Sequence, residues 1–374
     1  MNELIKEAGI IILMIILVSI GIWFTTKDNV VINHSVSDDV LWMAEQLPNT
    51  DGIFYANIDN EVFKQVFDVD VKDFKMLMAV QTGSHTLYPV SPSNKMYWII
   101  KARAESPLVL KSIAQLIDPV DELNISQNED GYYIIKPKFS VHSKKTLAKN
   151  KDLSKVAIAQ GIYYYSPIAQ DMFAGDVGYK DNAVIFEFSY INPLLKDFFD
   201  KTVIYEPKAL ISKDATWFYD GSVPITAMGL MAYAQTSPSA AIVSSYYMQF
   251  LNSRQGEIAF SGTSTHTVIS GANYSDVYNV AKVLERMGLK VGLNEDKITH
   301  GLIFVGLDKT SFYIIFGYHE TMKLVHVPKI QGLLAMWLTS DSMGRITYDG
   351  QYVNGFIGVN PEWLKNFVLT RREQ

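Results

Sequence analysis

The chain opens with Ala8 to Thr26, AGIIILMIILVSIGIWFTT, a run with no charge and almost nothing polar before Ser19. At about 1.5 Å per helical residue it would be roughly 28 Å long, close to the hydrocarbon thickness of a bilayer. Lys6 and Glu7 precede it, Lys27 and Asp28 follow it, and Trp23 and Phe24 lie where aromatic anchors meet the headgroups. The pattern predicts a single membrane-spanning signal anchor over 1–27, with Ile11, Leu13, Ile16, Leu17, Trp23 and Phe24 as its anchoring side chains and the C-terminal part outside. A cleaved signal peptide and a buried core helix are the alternatives. Ser19-Ile20-Gly21, followed by three bulky residues, is a poor cleavage site.

Beyond the tether at 28–37, shorter periods take over. Asp38 to Leu47 reads as a helix stopped by Pro48-Asn49, Ile53 to Ile58 as a strand, and Glu61 to Phe67 as a helix with Val62, Phe63, Val66 and Phe67 at helical spacing. Asp68 to Val80 reads as a further helix with Met76, Leu77 and Val80 inward. Thr86 to Val90 and Lys95 to Arg103 are expected strands. Ser106-Pro107 starts a helix to about Ile117, and Asp130-Gly131 turns into the strand Tyr132 to Ile135. Ser239 to Leu251 is an expected buried helix.

Two distant stretches follow the same plan. Asp181-Asn182, a strand and Ile191-Asn192-Pro193 lead into a helix with Leu195, Lys196 and Phe198; Asp349-Gly350, a strand and Val359-Asn360-Pro361 lead into a helix with Leu364, Lys365 and Phe367. In each, a tight turn precedes a strand, and an Asn held extended by the next proline caps a helix. Earlier segments match in order: Phe54-Tyr55 with Phe218-Tyr219, Met96–Ile99 with Thr267–Ser270, helix 106–117 with 276–287, and Gly131 with Gly301. The expectation is an internal duplication. The expected fold class is α+β: the N-terminal transmembrane helix followed by two similar lobes, 38–205 and 206–374, each a mainly antiparallel sheet with helices on one face.

Composition sets limits. The chain is 48% hydrophobic and 19% charged, enough for a sizeable core, and it has no cysteine, which excludes disulfides, thiolate nucleophiles and Cys-ligated metals. A net charge of −6 gives no case for nucleic acid as a partner. Charge is uneven, however. Residues 136–155 carry seven lysines against Asp152, whereas Asp38 to Asp73 holds nine acidic residues against Lys64 and Lys72. Lys144, Lys145, Lys149 and Lys151, with Tyr163 and Tyr165 from the run Tyr163-Tyr164-Tyr165, form the candidate ligand-binding set for an anionic polymer or lipid. A solvated face, or a complement to the acidic stretch within the fold, explains the same lysines.

Signatures of catalysis are absent: the chain has no G-x-S-x-G, Walker A, G-x-G-x-x-G or H-E-x-x-H motif. His319, Glu320 and His326 lack a standard ligand spacing, and Ser264 with His266 lacks an identifiable orienting acid. No cofactor, metal or catalytic residue is assigned.

The N-terminal anchor, the approach Leu47-Pro48-Asn49-Thr50-Asp51 to a first strand and the two strand-to-helix lobes resemble uncharacterised signal-anchored bacterial envelope proteins with duplicated lobes. The resemblance implies an inner-membrane protein with an extracytoplasmic body, and brings no catalytic residues. The expected function is a non-enzymatic scaffold or binding protein of the envelope, touching the membrane through residues 8–26 and a protein partner through its lobes. Binding of an envelope polymer or anionic lipid, or an unrecognised hydrolase, are the alternatives.

Overall fold

The computed structural model describes residues 36–81, 95–117, 122–138, 145–156, 160–166, 171–191, 193–221, 258–272, 274–288, 290–293, 301–307, 312–317, 322–328 and 330–370. Within them the chain forms two compact units, Gly21–Lys196 with Gln351–Gln374, and Asp197–Gly350. Where the sequence suggested lobes of 38–205 and 206–374, the C-terminal strand and helix therefore join the first unit.

The first unit is built on an antiparallel sheet. Its strands are β1 (Gly52–Ile58), β2 (Val71–Gln81), β3 (Lys95–Ala104), β4 (Leu123–Gln127), β5 (Tyr133–Pro137), β6 (Gly161–Ser166), β7 (Asp171–Lys180), β8 (Ala183–Ile191) and β19 (Val353–Val359). They pair in the order β4-β5-β3-β2-β1-β6-β7-β8-β19. Both faces bury side chains. On one face, α2 (Asn60–Phe67) and α3 (Pro107–Ile117) cover Phe74, Met76, Met78, Trp98, Ile100 and Ile135. At the far end of that face, α2 and α6 (Pro361–Thr370) enclose Val184. On the opposite face, α1 (Asp38–Glu45) and the 3-10 turns Leu147–Lys149 and Leu153–Lys155 cover Ile53, Tyr55, Leu77, Ala79 and Ile99.

Local chemistry explains the helix ends. Asp59 accepts the Glu61 N–H at 2.7 Å, Ser106 accepts that of Leu108 at 3.2 Å, and Asn360 accepts those of Glu362 and Trp363 at 2.8 and 3.3 Å. Asp68 enters the left-handed region at φ 56° and closes α2 onto the Lys64 carbonyl. The helix expected over Asp68 to Val80 is accordingly strand β2. Met76 to Val80 is buried without interruption because helices lie above and below it, which erases the alternation that marks a one-sided strand.

The second unit orders its main strands β18-β17-β10-β11-β12-β14-β15-β13, from β10 (Trp217–Asp220), β11 (Ala259–Gly262), β12 (His266–Ala272), β13 (Val291–Leu293), β14 (Gly301–Leu307), β15 (Phe312–Phe316), β17 (Leu333–Leu338) and β18 (Ser342–Tyr348). A separate pair joins β9 (Leu210–Ser212) to β16 (Leu324–His326). Helix α5 (Tyr274–Arg286) contacts β13, β14 and β15, and α4 (Pro193–Thr202) precedes β9. The run β7-β6-β1-β2-β3-β5 of the first unit recurs here as β18-β17-β10-β11-β12-β14. Phe54-Tyr55 and Phe218-Tyr219 occupy corresponding strands of the two runs. The units differ at one edge, where β13 lies parallel to β15.

Three expectations need correction. The fold is mostly β, with 50% strand against 21% helix, not the expected α+β. In the first unit, moreover, helices and turns cover both sheet faces, because the central strands are apolar on both sides. The membrane and signal-anchor reading is also unsupported: among the described residues no helix is long and apolar enough to cross a membrane. The helices present are 8 to 13 residues long, sized to cover a sheet. Residues 8–26, with Ile11, Leu13, Ile16, Leu17, Trp23 and Phe24, lie outside the described residues, as do Thr86–Val90 and Ser239–Leu251.

Candidate functional site

Among the described residues, helices and turns cover only part of the sheet face that carries α1. Over β1, β2 and β3 it is the apolar floor just described. Over β6, β7, β8 and β19 its side chains are Tyr163 and Tyr165, then Met172, Ala174 and Asp176, then Ile185, Glu187 and Ser189, then Asn354 and Phe356, by strict alternation from the paired registers. Asp176, Glu187 and Ser189 are exposed and the others half-buried. The reverse side of the same strands is packed with Phe173, Phe186, Phe188 and Tyr190. One side is core, and the other carries the exposed Asp176, Glu187 and Ser189 among half-buried side chains.

A single row of this face carries most of the charge. Lys101 on β3 faces Lys75 on β2, which faces Asn57 on β1 and then Gly161 on β6; on the open half Asp176 on β7 faces Glu187 on β8, which faces Phe356 on β19. Asp176 lies over Gly161, since a Cβ there would stand 3.1 Å from its Oδ1. The row thus holds two like-charge cross-strand pairs, an arrangement that destabilises a sheet. Helix α1 resolves the first: Lys75 Nζ donates to Asp39 Oδ2 at 2.7 Å and Lys101 Nζ to Asp39 Oδ1 at 2.6 Å. These bonds hold the Asp39 carboxyl below its ordinary range. Asp176 and Glu187 have no ion pair among the described residues. Beside them, burial and the Asp176 charge raise the Tyr163 hydroxyl, and burial above all pushes Tyr55 up to about 12.

The basic segment is only partly where the sequence pointed. Lys145, Lys149 and Lys151 are exposed on the turns beside α1, and Lys144 lies outside the described residues. The lysine that reaches Tyr165 is Lys155, whose Nζ is 2.9 Å from both Tyr165 Oη and Asp152 Oδ1. Asp176 and Glu187 went unnoticed in the sequence. They sit eleven residues apart in two strands, and only the Asp181-Asn182 hairpin brings them face to face.

The second unit contains a serine-histidine contact. Ser212 Oγ lies 2.9 Å from His266 Nε2, Thr263 Oγ1 lies 3.1 Å from Nδ1, and the ring stacks on Phe304. The partner of His266 is thus Ser212, not the exposed Ser264. Ser212 is only 6% exposed, its own N–H donates to Ser261 Oγ, and the neighbouring amides of Lys213, Ala215 and Thr216 are all bonded to carbonyls. Among the described residues, none of these three amides or the Ser212 amide is left to serve as an oxyanion donor. The cluster ties β9 to β11 and β12.

Burial holds His266 below its ordinary value against the opposing charge of Asp214. A lowered folded value means the unfolded chain takes the proton first, so the contribution to stability is complete above about pH 6.5 and is lost as pH falls through the lower folded value. Thermal denaturation of the second unit between pH 7 and 5 is expected to show this loss, and His266→Gln to flatten it. Groups of three or more His, Asp or Glu side chains able to hold a metal are absent among the described residues. Comparison with family models, curated proteins and solved structures finds no match.

Proposed function

We propose that this chain is a non-enzymatic binding or scaffold protein of the bacterial envelope whose docking surface is the open half-face β6-β7-β8-β19 of the first unit. One observation supports the reading above others: Asp176 and Glu187 face each other across two strands with no bridging cation among the described residues, while the lysine pair in the same row is bridged by Asp39. A sheet retains such a repulsion at a cost in stability, and a partner that inserts a lysine or arginine between the carboxylates relieves it. Phe356, opposite Glu187, and Tyr163, one row along, flank the pair with rings suited to the apolar stem of such a side chain. Placement in the envelope rests on the resemblance alone.

The test is site-specific photo-crosslinking in cells of the native host, with the reactive residue at Ser189 on the open face or at the exposed Glu61 on α2. A single stoichiometric protein captured from position 189, not from 61, and lost with Glu187→Lys, is the expected result. Equal capture from both positions would overturn the assignment of the face.

A further inference from the structure

The cationic end of the same row has a second feature that partner docking does not use. Lys101 is only 8% exposed, yet its ammonium makes one hydrogen bond, to Asp39. Lys75 also makes one, to the same carboxylate. Each ammonium has three donors, so two on each have no protein acceptor among the described residues. Arg103 and Asp73 stand close by, 3.7 Å apart at their nearest charged atoms. Three cations thus meet two carboxylates, which leaves one positive charge in excess.

Aromatic rings border this excess charge. Lys101 Nζ and Arg103 Cζ each lie 4.3 Å from the Tyr132 ring centroid, and Tyr132 is held by its hydroxyl bond to Asp73 Oδ2 at 3.1 Å. On the α1 side Trp42, 38% exposed, lies 5.9 Å from Lys101 Nζ. Tyr132 is further fixed by a tight turn, in which its N–H donates to Asn128 Oδ1 at 2.8 Å and Gly131 takes φ 82°. The exposed Trp42 ring beside spare ammonium donors matches a ligand with a flat face and a single negative group, while the half-buried Tyr132 ring holds Lys101 and Arg103 in place.

We propose that Trp42, Lys75, Lys101, Arg103 and Tyr132 form a binding site for an oxyanion carried on a sugar ring, a carboxylate or a phosphate monoester. Lys75 and Arg103 meet the oxyanion, Lys101 supports the field from beneath, and Trp42 lies against the ring. Asp39 stays in place and orients both lysines. The site is independent of the acidic docking face, so one can fail without the other.

Isothermal titration of the purified chain with a galacturonic acid trimer, glucose 1-phosphate and neutral maltotriose tests this directly, with the Trp42 indole resonance followed by NMR. Saturable binding of an acidic probe that shifts the Trp42 signal and weakens with salt is expected, and the stronger of the two acidic probes identifies the oxyanion. The pair Lys75→Gln and Arg103→Gln, which leaves Lys101 on Asp39, should raise the Kd about tenfold or more, the scale of one lost charge-assisted hydrogen bond. Lys180→Gln, an exposed lysine at the end of β7 in the same unit, should not. Equal binding of maltotriose, an equal loss with Lys180→Gln, or no saturable binding of either acidic probe would overturn the proposal.

Discussion

Replacing Trp98 with alanine is expected to cost the first unit about 3–5 kcal/mol, the range for deleting a large aromatic from a closed core. Trp98 is fully buried, faces Met78 across β2 and β3, and belongs to the cluster that α2 and α3 cover. Neither neighbouring strand can collapse into the void, because each is held by hydrogen bonds on both sides. Urea denaturation followed by far-UV circular dichroism reads the loss. A change below about 1 kcal/mol would mean that the two-faced packing described for β3 is wrong.

The second large effect is predicted at Asp39. Asp39→Ala leaves Lys75 and Lys101 facing each other with no anion between them, and Lys101 is nearly buried. Breaking a fully buried pair costs about 3–5 kcal/mol; the partial exposure of Asp39 and Lys75 reduces the expectation to about 1–3 kcal/mol. Asp39→Asn keeps one acceptor and should lose less. The carboxyl is held below its ordinary value by the two lysines, so its contribution is present above about pH 3.8 and disappears as pH falls through the lower folded value. Acid denaturation curves of wild type and Asp39→Ala should therefore converge at low pH. Curves that stay offset at low pH would show that the loss does not come from the Asp39 charge, and coincident curves that the bridge carries no stability.

Strand-to-helix junctions were the most legible part of the sequence, since their signals are local. Ser106-Pro107 and Asn360-Pro361 cap and start helices where expected. The order of segments in the expected repeat corresponds to the shared run of strands, although Gly131 sits in a turn at φ 82° while Gly301 is already the first residue of β14. Residues 68 to 80 carry a helical pattern in sequence because a strand buried on both sides has no period of two, and Met76-Leu77-Met78 fits a helix as well. The same two-sided burial hid the second layer of helices and turns. The site was the least legible. Tyr163 and Tyr165 could be assigned to one face by alternation, but Asp176 opposite Glu187, and Lys75 opposite Lys101, depend on register, which hairpins and crossovers set and no single stretch encodes.

The central claim is that the Asp176-Glu187 repulsion is kept for binding. It is tested most directly by measuring thermal stability and partner capture on the same Glu187→Gln protein. Relief of a like-charge cross-strand pair should stabilise the first unit by about 0.2–1 kcal/mol, while capture from position 189 falls. A destabilised variant that still captures its partner would contradict the account, because the carboxylate would then be serving the fold and not the surface.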